Sequence, residues 1–232
     1  MKQSILNGAA CAAVLMLAAC GGSSNTPVAS GGGGATTTEP AKPKVSTEDL
    51  STGAYAVSTG DADKPTVGRY YAAADGKRLL AFEDADDSVD LLLRRADAAS
   101  AWVAVPAPTT DLNVSLLSSQ ARTLATPDAA TLAGRYVVRL SDGAAADFNI
   151  GADGRITAGT SACKLSGSLA SSTLPGALSL SLTSNGCAAL PASATGVLVV
   201  DALDAPASLR LIADDGARTV DLRAYVEAAS AV

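Results

Sequence analysis

Residues 177–184 read Ala-Leu-Ser-Leu-Ser-Leu-Thr-Ser, which is the clearest indication of the fold in the chain. Apolar and hydroxyl side chains alternate along it with a period of two, the period of a β-strand that turns one face to a core and the other to water. Asn185-Gly186 follows directly, and such a pair readily takes the positive φ of a tight hairpin. The stretch therefore predicts a strand followed by a sharp turn.

The same two signals recur along the chain after residue 50. Alternation is clear at residues 89–93, 112–116 and 220–224, and Asp-Gly pairs begin at residues 75, 142, 153 and 215. Turn signals at intervals of about ten residues are typical of an all-β sandwich or barrel. We therefore predict an all-β fold, an antiparallel sandwich or barrel.

The predicted strands form two sets. They lie near residues 53–59, 66–74, 78–83, 88–95, 101–105 and 112–119, and then near 134–141, 145–150, 155–169, 177–184, 195–203, 207–213 and 217–226. Between the sets, residues 120–130 lack alternation and form either a short helix or a connector. We predict two small β modules, residues 49–125 and 126–232; the alternative is one continuous barrel or sandwich of about 180 residues.

The first part of the sequence resembles an export signal. Lys2 precedes a mostly apolar run from Ile5 to Leu17, which has signal-peptide length and is too short to span a bilayer as a permanent helix. The run ends in Leu17-Ala18-Ala19-Cys20, which resembles the lipobox of bacterial lipoproteins. The resemblance implies that residues 1–19 are a lipoprotein signal peptide and that Cys20 becomes the lipidated N-terminus. The alternative is an ordinary signal peptide cleaved at an Ala-x-Ala-like site.

The lipoprotein resemblance also implies a location. Acyl chains such as palmitate on Cys20 anchor a protein to a membrane, since each buried methylene contributes roughly 0.8 kcal/mol. Gly21 stands where lipoproteins of the inner membrane tend to have Asp, so we expect the bacterial outer membrane, on its periplasmic face or at the cell surface. Residues 20–48 are rich in Gly, Ser, Thr and Pro and predict a disordered tether with a reach of roughly 30 Å.

Two of the four cysteines are left to pair. Cys11 lies in the expected signal peptide and Cys20 carries the lipid, so Cys163 and Cys187 remain. In the oxidising bacterial envelope we expect them to form a disulfide; the alternative is two free buried thiols.

Charge and composition narrow the possible functions. The chain has 17 Lys and Arg against 23 Asp and Glu, a net charge of −6, so nucleic acid is not an expected partner. It has no histidine, and so lacks the commonest general base and the commonest metal ligand. We predict no metal site, no other cofactor and no catalytic residues.

Ser161-Ala162-Cys163-Lys164 has the S-x-x-K spacing of penicillin-binding enzymes. That spacing brings Ser and Lys together on a helix, whereas the predicted strand sends positions 161 and 164 to opposite faces. No Lys-Thr-Gly follows. The pattern does not indicate a Ser-Lys enzyme.

An acidic run lies between two predicted strands of the first module. Its members are Glu83, Asp84, Asp86, Asp87 and Asp90. The run lacks the glycine and the residue order of a calcium loop. It is either a solvated hairpin tip or the contact for a basic partner.

The few aromatic residues matter for the core. Trp102 is expected in the core or at its edge, because so few large side chains are available. Tyr70 and Tyr71 are adjacent in a predicted strand, so they point to opposite faces and we expect one of them to be exposed.

These features together predict a lipid-anchored, non-catalytic binding or structural module of the bacterial cell envelope, with an envelope protein as a possible partner. The alternative is an inhibitor of a basic envelope enzyme, similar in general design to the lipid-anchored β-barrel lysozyme inhibitors. Their S-G-x-x-Y motif has its nearest counterpart in Ser51-Thr52-Gly53-Ala54-Tyr55, which differs from it. A hydrolase with two acids brought close in space is the third possibility.

Overall fold

A computed structural model of the chain describes residues 41–227. The expected signal peptide, the expected lipidation site Cys20 and the expected tether up to residue 40 lie outside the described residues. The all-β prediction is confirmed, because the described residues form sixteen strands and one short 3-10 turn. Among them, no helix is long and apolar enough to cross a membrane.

The first eight strands are numbered in chain order. They are β1 (Val45–Thr47), β2 (Gly53–Asp61), β3 (Lys64–Ala72), β4 (Arg78–Glu83), β5 (Val89–Arg95), β6 (Val103–Val105), β7 (Leu112–Val114) and β8 (Leu116–Arg122). Six of them form an open antiparallel sheet in the order β6-β5-β4-β3-β2-β8, while β1 and β7 form a separate parallel pair.

The other eight strands close into a barrel. They are β9 (Gly134–Arg139), β10 (Ala145–Ile150), β11 (Arg155–Ala158), β12 (Lys164–Ser171), β13 (Ala177–Asn185), β14 (Ser193–Val199), β15 (Leu209–Asp214) and β16 (Thr219–Val226). Each strand pairs antiparallel with the next in sequence, and β16 pairs with β9. The 3-10 turn Ala202–Asp204 lies between β14 and β15.

The alternating leucines of β13 face the inside of the barrel, as their spacing predicts. Leu178, Leu180 and Leu182 are buried in a core to which every barrel strand contributes. The outward residues Val197 and Val199 of β14 are also buried, because the open sheet packs against them. The barrel therefore has a packed interior and one covered outer side.

At Tyr70 and Tyr71 the open sheet is covered on both faces, which corrects one expectation. Tyr70 is 0% exposed and Tyr71 is 1% exposed, so neither tyrosine reaches solvent. Tyr71 packs toward the barrel. Tyr70 packs into a second core, against Val114 and the partly buried Val45. Strand alternation predicts their opposite directions but not the layer that covers each face.

Trp102 lies at the edge of this second core, partly buried. Its ring meets Tyr70 edge to face, with 6.3 Å between ring centroids, and the Arg95 guanidinium lies 5.2 Å from the ring centroid. The tryptophan is a core-edge residue, as expected.

Two further segments differ from their predictions, and a third, residues 120–130, takes one of its two predicted forms, a connector. Residues 45–47, expected in the tether, form β1 because they pair with β7. The single strand expected at 155–169 is two strands, with a turn at 159–163. Residues 120–130 contain no helix; β8 extends to Arg122 and an irregular connector follows.

The predicted disulfide is confirmed. Cys163 and Cys187 are bonded, with their Cα atoms 4.6 Å apart. Cys163 directly precedes Lys164 and Cys187 follows Asn185 by two residues, and Lys164 and Asn185 are paired in the antiparallel neighbours β12 and β13. The bond therefore joins the turn before β12 to the turn after β13.

Candidate functional site

A trough runs along β2 on the side of the open sheet that faces the barrel. Ala54, Ala56 and Ser58 occupy alternate positions of that strand, so they share one face, and all three line a cavity of about 410 Å³. Larger side chains of β3 and β8 stand on either side of them. A cavity of this size is within the range of small-ligand sites.

The strand register sets the walls of the trough. Tyr71 and Arg122 flank Ala54, Arg69 and Gln120 flank Ala56, and Val67 and Ser118 flank Ser58. From the barrel, Asp201, Leu203 and Arg223 close the remaining side. The site is thus built by both sheets.

Gly68 lets β3 lie close to β4 beside this wall. A Cβ atom at position 68 would lie 2.5 Å from the carbonyl oxygen of Ala81, which is shorter than any normal contact. The glycine therefore helps to fix the position of its neighbour Arg69.

Two arginines of the open sheet hold the 3-10 turn of the barrel. Arg69 donates from Nη1 and Nη2 to the two carboxylate oxygens of Asp204, at 2.6 and 2.7 Å. Arg122 donates from Nη2 to Asp201 at 2.8 Å. Asp201 also caps the turn by accepting from the backbone N–H of Leu203. These bonds fix the barrel side of the trough.

A third arginine, Arg210 of β15, is 0% exposed and sits behind the trough. It donates to Asp221, Glu83 and Asp204 and to the backbone carbonyl of Asp87. Burial alone would lower the pKa of Arg210, but the bonds and charges of Asp221 and Glu83 outweigh this effect and raise it. The guanidinium stays charged and ties the β4–β5 hairpin to the barrel.

The acidic run divides between this network and the surface. The Glu83 carboxylate contacts Arg69 and Arg210, so it is already engaged inside the protein. Asp84 accepts from the backbone N–H groups of residues 86 and 88 at the hairpin tip. Asp86, Asp87 and Asp90 are exposed, and no group of His, Cys, Asp or Glu within residues 41–227 is arranged to hold a metal ion.

The Tyr71 hydroxyl is an unpartnered polar group at the wall of the trough. It is fully buried and has no hydrogen-bond partner among the described residues. Burial raises the pKa of Tyr71 to about 12; nearby Asp201 and Asp204 also raise it, and Arg69 opposes them. The phenol is therefore neutral and able to donate. An unsatisfied buried group of this kind costs about 1–3 kcal/mol.

Ser161 and Lys164 do not meet. The Ser161 hydroxyl donates to the carbonyl of Cys163 and accepts from the backbone N–H of Asp147, whereas Lys164 Nζ donates to the carbonyl of Gly159. Ser161 lies in a turn, not in the strand that the sequence predicted. The residues of the S-x-x-K pattern lie in and directly after the turn before β12, which also contains the disulfide residue Cys163.

Asp147 organises that turn. Its carboxylate accepts from the backbone N–H groups of Thr160 and Ser161 at 2.8 and 2.6 Å. The nearby Ser161 hydroxyl and these two N–H groups hold the pKa of Asp147 well below its usual range. A Cβ at Gly159 would lie 1.8 Å from the carboxylate, so only glycine allows this approach.

The sequence analysis missed the groups that form the trough. Small residues at 54, 56 and 58 of one strand are a signal that could have indicated a groove. The pairing of Arg122 with Asp201 joins residues 79 positions apart, and no local pattern indicates it. A scan against protein-family models, a search of curated proteins and a search of solved structures find no match for this chain.

Proposed function

We propose that this protein is a lipid-anchored, non-catalytic binding module of the bacterial outer membrane and that the trough along β2 is its ligand site. The lipobox-like Leu17-Ala18-Ala19-Cys20 and the Gly-rich stretch after it support the anchoring. The observation that carries the binding role is the buried Tyr71 hydroxyl, left without a partner at the wall of a preformed cavity.

The chemistry of the trough favours binding over catalysis. Glu83 and Asp201 are already paired with the guanidiniums of Arg69 and Arg122. Tyr71, with its raised pKa, holds its proton at neutral pH. The hydroxyls of Ser58 and Ser118 are bonded to each other at 2.7 Å. These groups can hold a ligand in place, but none of them is a poised general base.

Inhibition of a basic envelope enzyme is the second candidate, and one observation favours it. The carbonyl of Asp87 accepts hydrogen bonds from Arg210 and Arg223, so the exposed carboxylates of Asp86, Asp87 and Asp90 stand on a hairpin fixed to the barrel. A rigid acidic projection suits a cationic protein surface. Under this alternative, Asp86→Asn with Asp90→Asn abolishes binding to the target enzyme, and the trough variants do not.

The test of the main proposal uses the full mature protein and the small-molecule fraction of an envelope extract. Ala56→Leu fills the middle of the trough, while Ala121→Leu adds the same side chain at an exposed position of β8 on the opposite face. We expect a fraction of the extract to raise the melting temperature of the wild type and of Ala121→Leu but not of Ala56→Leu. Equal shifts in all three proteins, or no shift in any, would exclude the trough as a ligand site.

A further inference from the structure

We propose that the trough binds the carboxylate end of a short peptide. This inference rests on the proposed function, because it names the ligand class of the same site. Its basis is the order of chemical groups along the trough. Hydrogen-bond donors flank Ala54, a side-chain amide lies beside Ala56, and an apolar side chain lies beside Ser58.

The donor end fits a carboxylate. Tyr71 and Arg122 stand on opposite sides of Ala54, whose small side chain leaves the space between them open. Among residues 41–227, Arg122 has only Asp201 as a side-chain partner, through one Nη2 bond, although a guanidinium carries five N–H donors. A carboxylate placed there accepts from the remaining N–H groups of Arg122, and from the buried Tyr71 hydroxyl when the ring shifts enough to reach it. Arginine and carboxylate form strong, directional pairs of this kind.

The charge balance favours a single carboxylate over a polyanion. Three guanidiniums line the cavity, those of Arg69, Arg122 and Arg223, and three carboxylates line it, those of Glu83, Asp87 and Asp201. Three positive and three negative charges leave no net charge. The site therefore offers directed donors without a strong positive field, which suits a group with one negative charge.

The middle of the trough fits a peptide group. Gln120 lies beside Ala56, opposite Arg69, and its side-chain amide can donate to and accept from a backbone amide. An alkyl chain at this place would cover the exposed amide of Gln120 without giving it a partner, which is unfavourable. A peptide is therefore a better match here than a fatty acid, which carries the same carboxylate.

The far end accepts an apolar side chain. Val67, which flanks Ser58, is 49% exposed, and Leu203, which is 58% exposed, also lines the cavity. The distance from Ala54 to Ser58 is four residues of strand, roughly 13 Å at about 3.3 Å per residue. An extended peptide of about four residues has this length.

The experiment follows the Tyr71 ring and the Arg122 side chain by NMR in the full mature protein. Tyr71→Phe and Arg122→Lys identify the two signals. The probes are a pool of N-acetylated tetrapeptides of Ala, Val, Leu and Ser with free carboxylates, the same pool with C-terminal amides, decanoate, and the small-molecule fraction of the envelope extract. We expect the free-acid pool to shift both signals in the wild type and in Ala121→Leu, but not in Ala56→Leu. We expect the amidated pool to bind about tenfold more weakly, which is the equivalent of one lost charge-assisted bond.

Each other outcome has a separate meaning. Equal binding of the acid and amide pools overturns the carboxylate claim. A response to decanoate alone, or to the extract alone, that is absent in Ala56→Leu supports the trough as a ligand site but overturns the proposal that the ligand is a peptide. No response to any probe overturns both the inference and the proposed function. Tyr71→Phe separates binding from structure: it weakens binding of the free-acid pool without lowering the melting temperature, whereas a structural role for the hydroxyl would lower that temperature.

Discussion

Arg69 and Asp204 form a two-bonded ion pair although they are 135 residues apart in sequence. Arg69 belongs to the open sheet and Asp204 to the turn between two barrel strands, so the pair joins the two β structures. Both residues are buried. A buried ion pair adds little net stability by itself, but removing one partner leaves the other charge buried and unpaired.

We therefore expect Asp204→Asn to lower the free energy of unfolding by about 3 kcal/mol, since it leaves Arg69 with only its longer contacts to Glu83 and Asp201 and removes one carboxylate from Arg210. Urea unfolding of the protein measures this loss. Asp90→Asn, an exposed acid of the β4–β5 hairpin, serves as the control and should unfold like the wild type. A loss below about 1 kcal/mol for Asp204→Asn would show that water reaches the pair.

Reduction of the Cys163–Cys187 bond should destabilise the protein by roughly 3.5 kcal/mol, from the entropy of opening a loop of about 25 residues. Hydrogen exchange should speed up across residues 155–203. Residues 53–119 should follow, because Val197 and Val199 of the disulfide-linked half of the barrel pack against the open sheet. Unchanged exchange in residues 53–119 would instead mean that the first module folds independently, and free thiols in unreduced peptide maps would contradict the bond itself.

The low pKa of Asp147 makes part of the stability depend on pH. Because the folded state holds this pKa below the unfolded value of about 3.9, the stabilisation is complete above that value and is lost as pH falls below it. Asp147→Asn should cost about 1–2 kcal/mol at neutral pH, the low end of the range for hydrogen bonds to charged groups. Acid titrations of both proteins should show this difference shrinking below about pH 4. A constant difference down to pH 2 would mean that the carboxylate charge contributes nothing.

The proposed anchoring has its own test. Replacing Cys20 with Ala should release the protein from the outer-membrane fraction and abolish labelling by a palmitate analogue, because the thiol is the proposed attachment point. Cys11→Ala is the matched control, and the mature protein should be unaffected by it. Membrane association that survives Cys20→Ala would remove the lipid anchor from the proposal.

Local patterns predicted the strands but not the way in which they are layered. The period-two alternation of β13 and the turn at Asn185-Gly186 identified a strand and its inward face. The burial of Tyr70 depends on Val45, whose neighbours in sequence are polar. Val45 is held in place by the pairing of β1 with β7. The trough depends on Arg122 meeting Asp201 across two sheets. Such contacts are set by packing between distant segments, and the sequence near each residue carries no trace of them.

The seam between β9 and β16 has a consequence for how the barrel is encoded. The chain enters the barrel at Gly134 and leaves it at Val226, and the backbone N–H of Glu227 donates to the carbonyl of Arg135 at 2.9 Å. Each pair of neighbouring barrel strands is joined by the chain except β16 and β9, where the chain leaves and enters the barrel. Packing does not require the break to lie between these two strands. Cutting the chain before residue 134, joining residue 227 to residue 134 and reopening the ring at the exposed Asp215-Gly216 turn would give a circular permutant of residues 134–227 with the same cyclic order of strands. That cyclic order, and not the identity of the first strand, specifies the barrel.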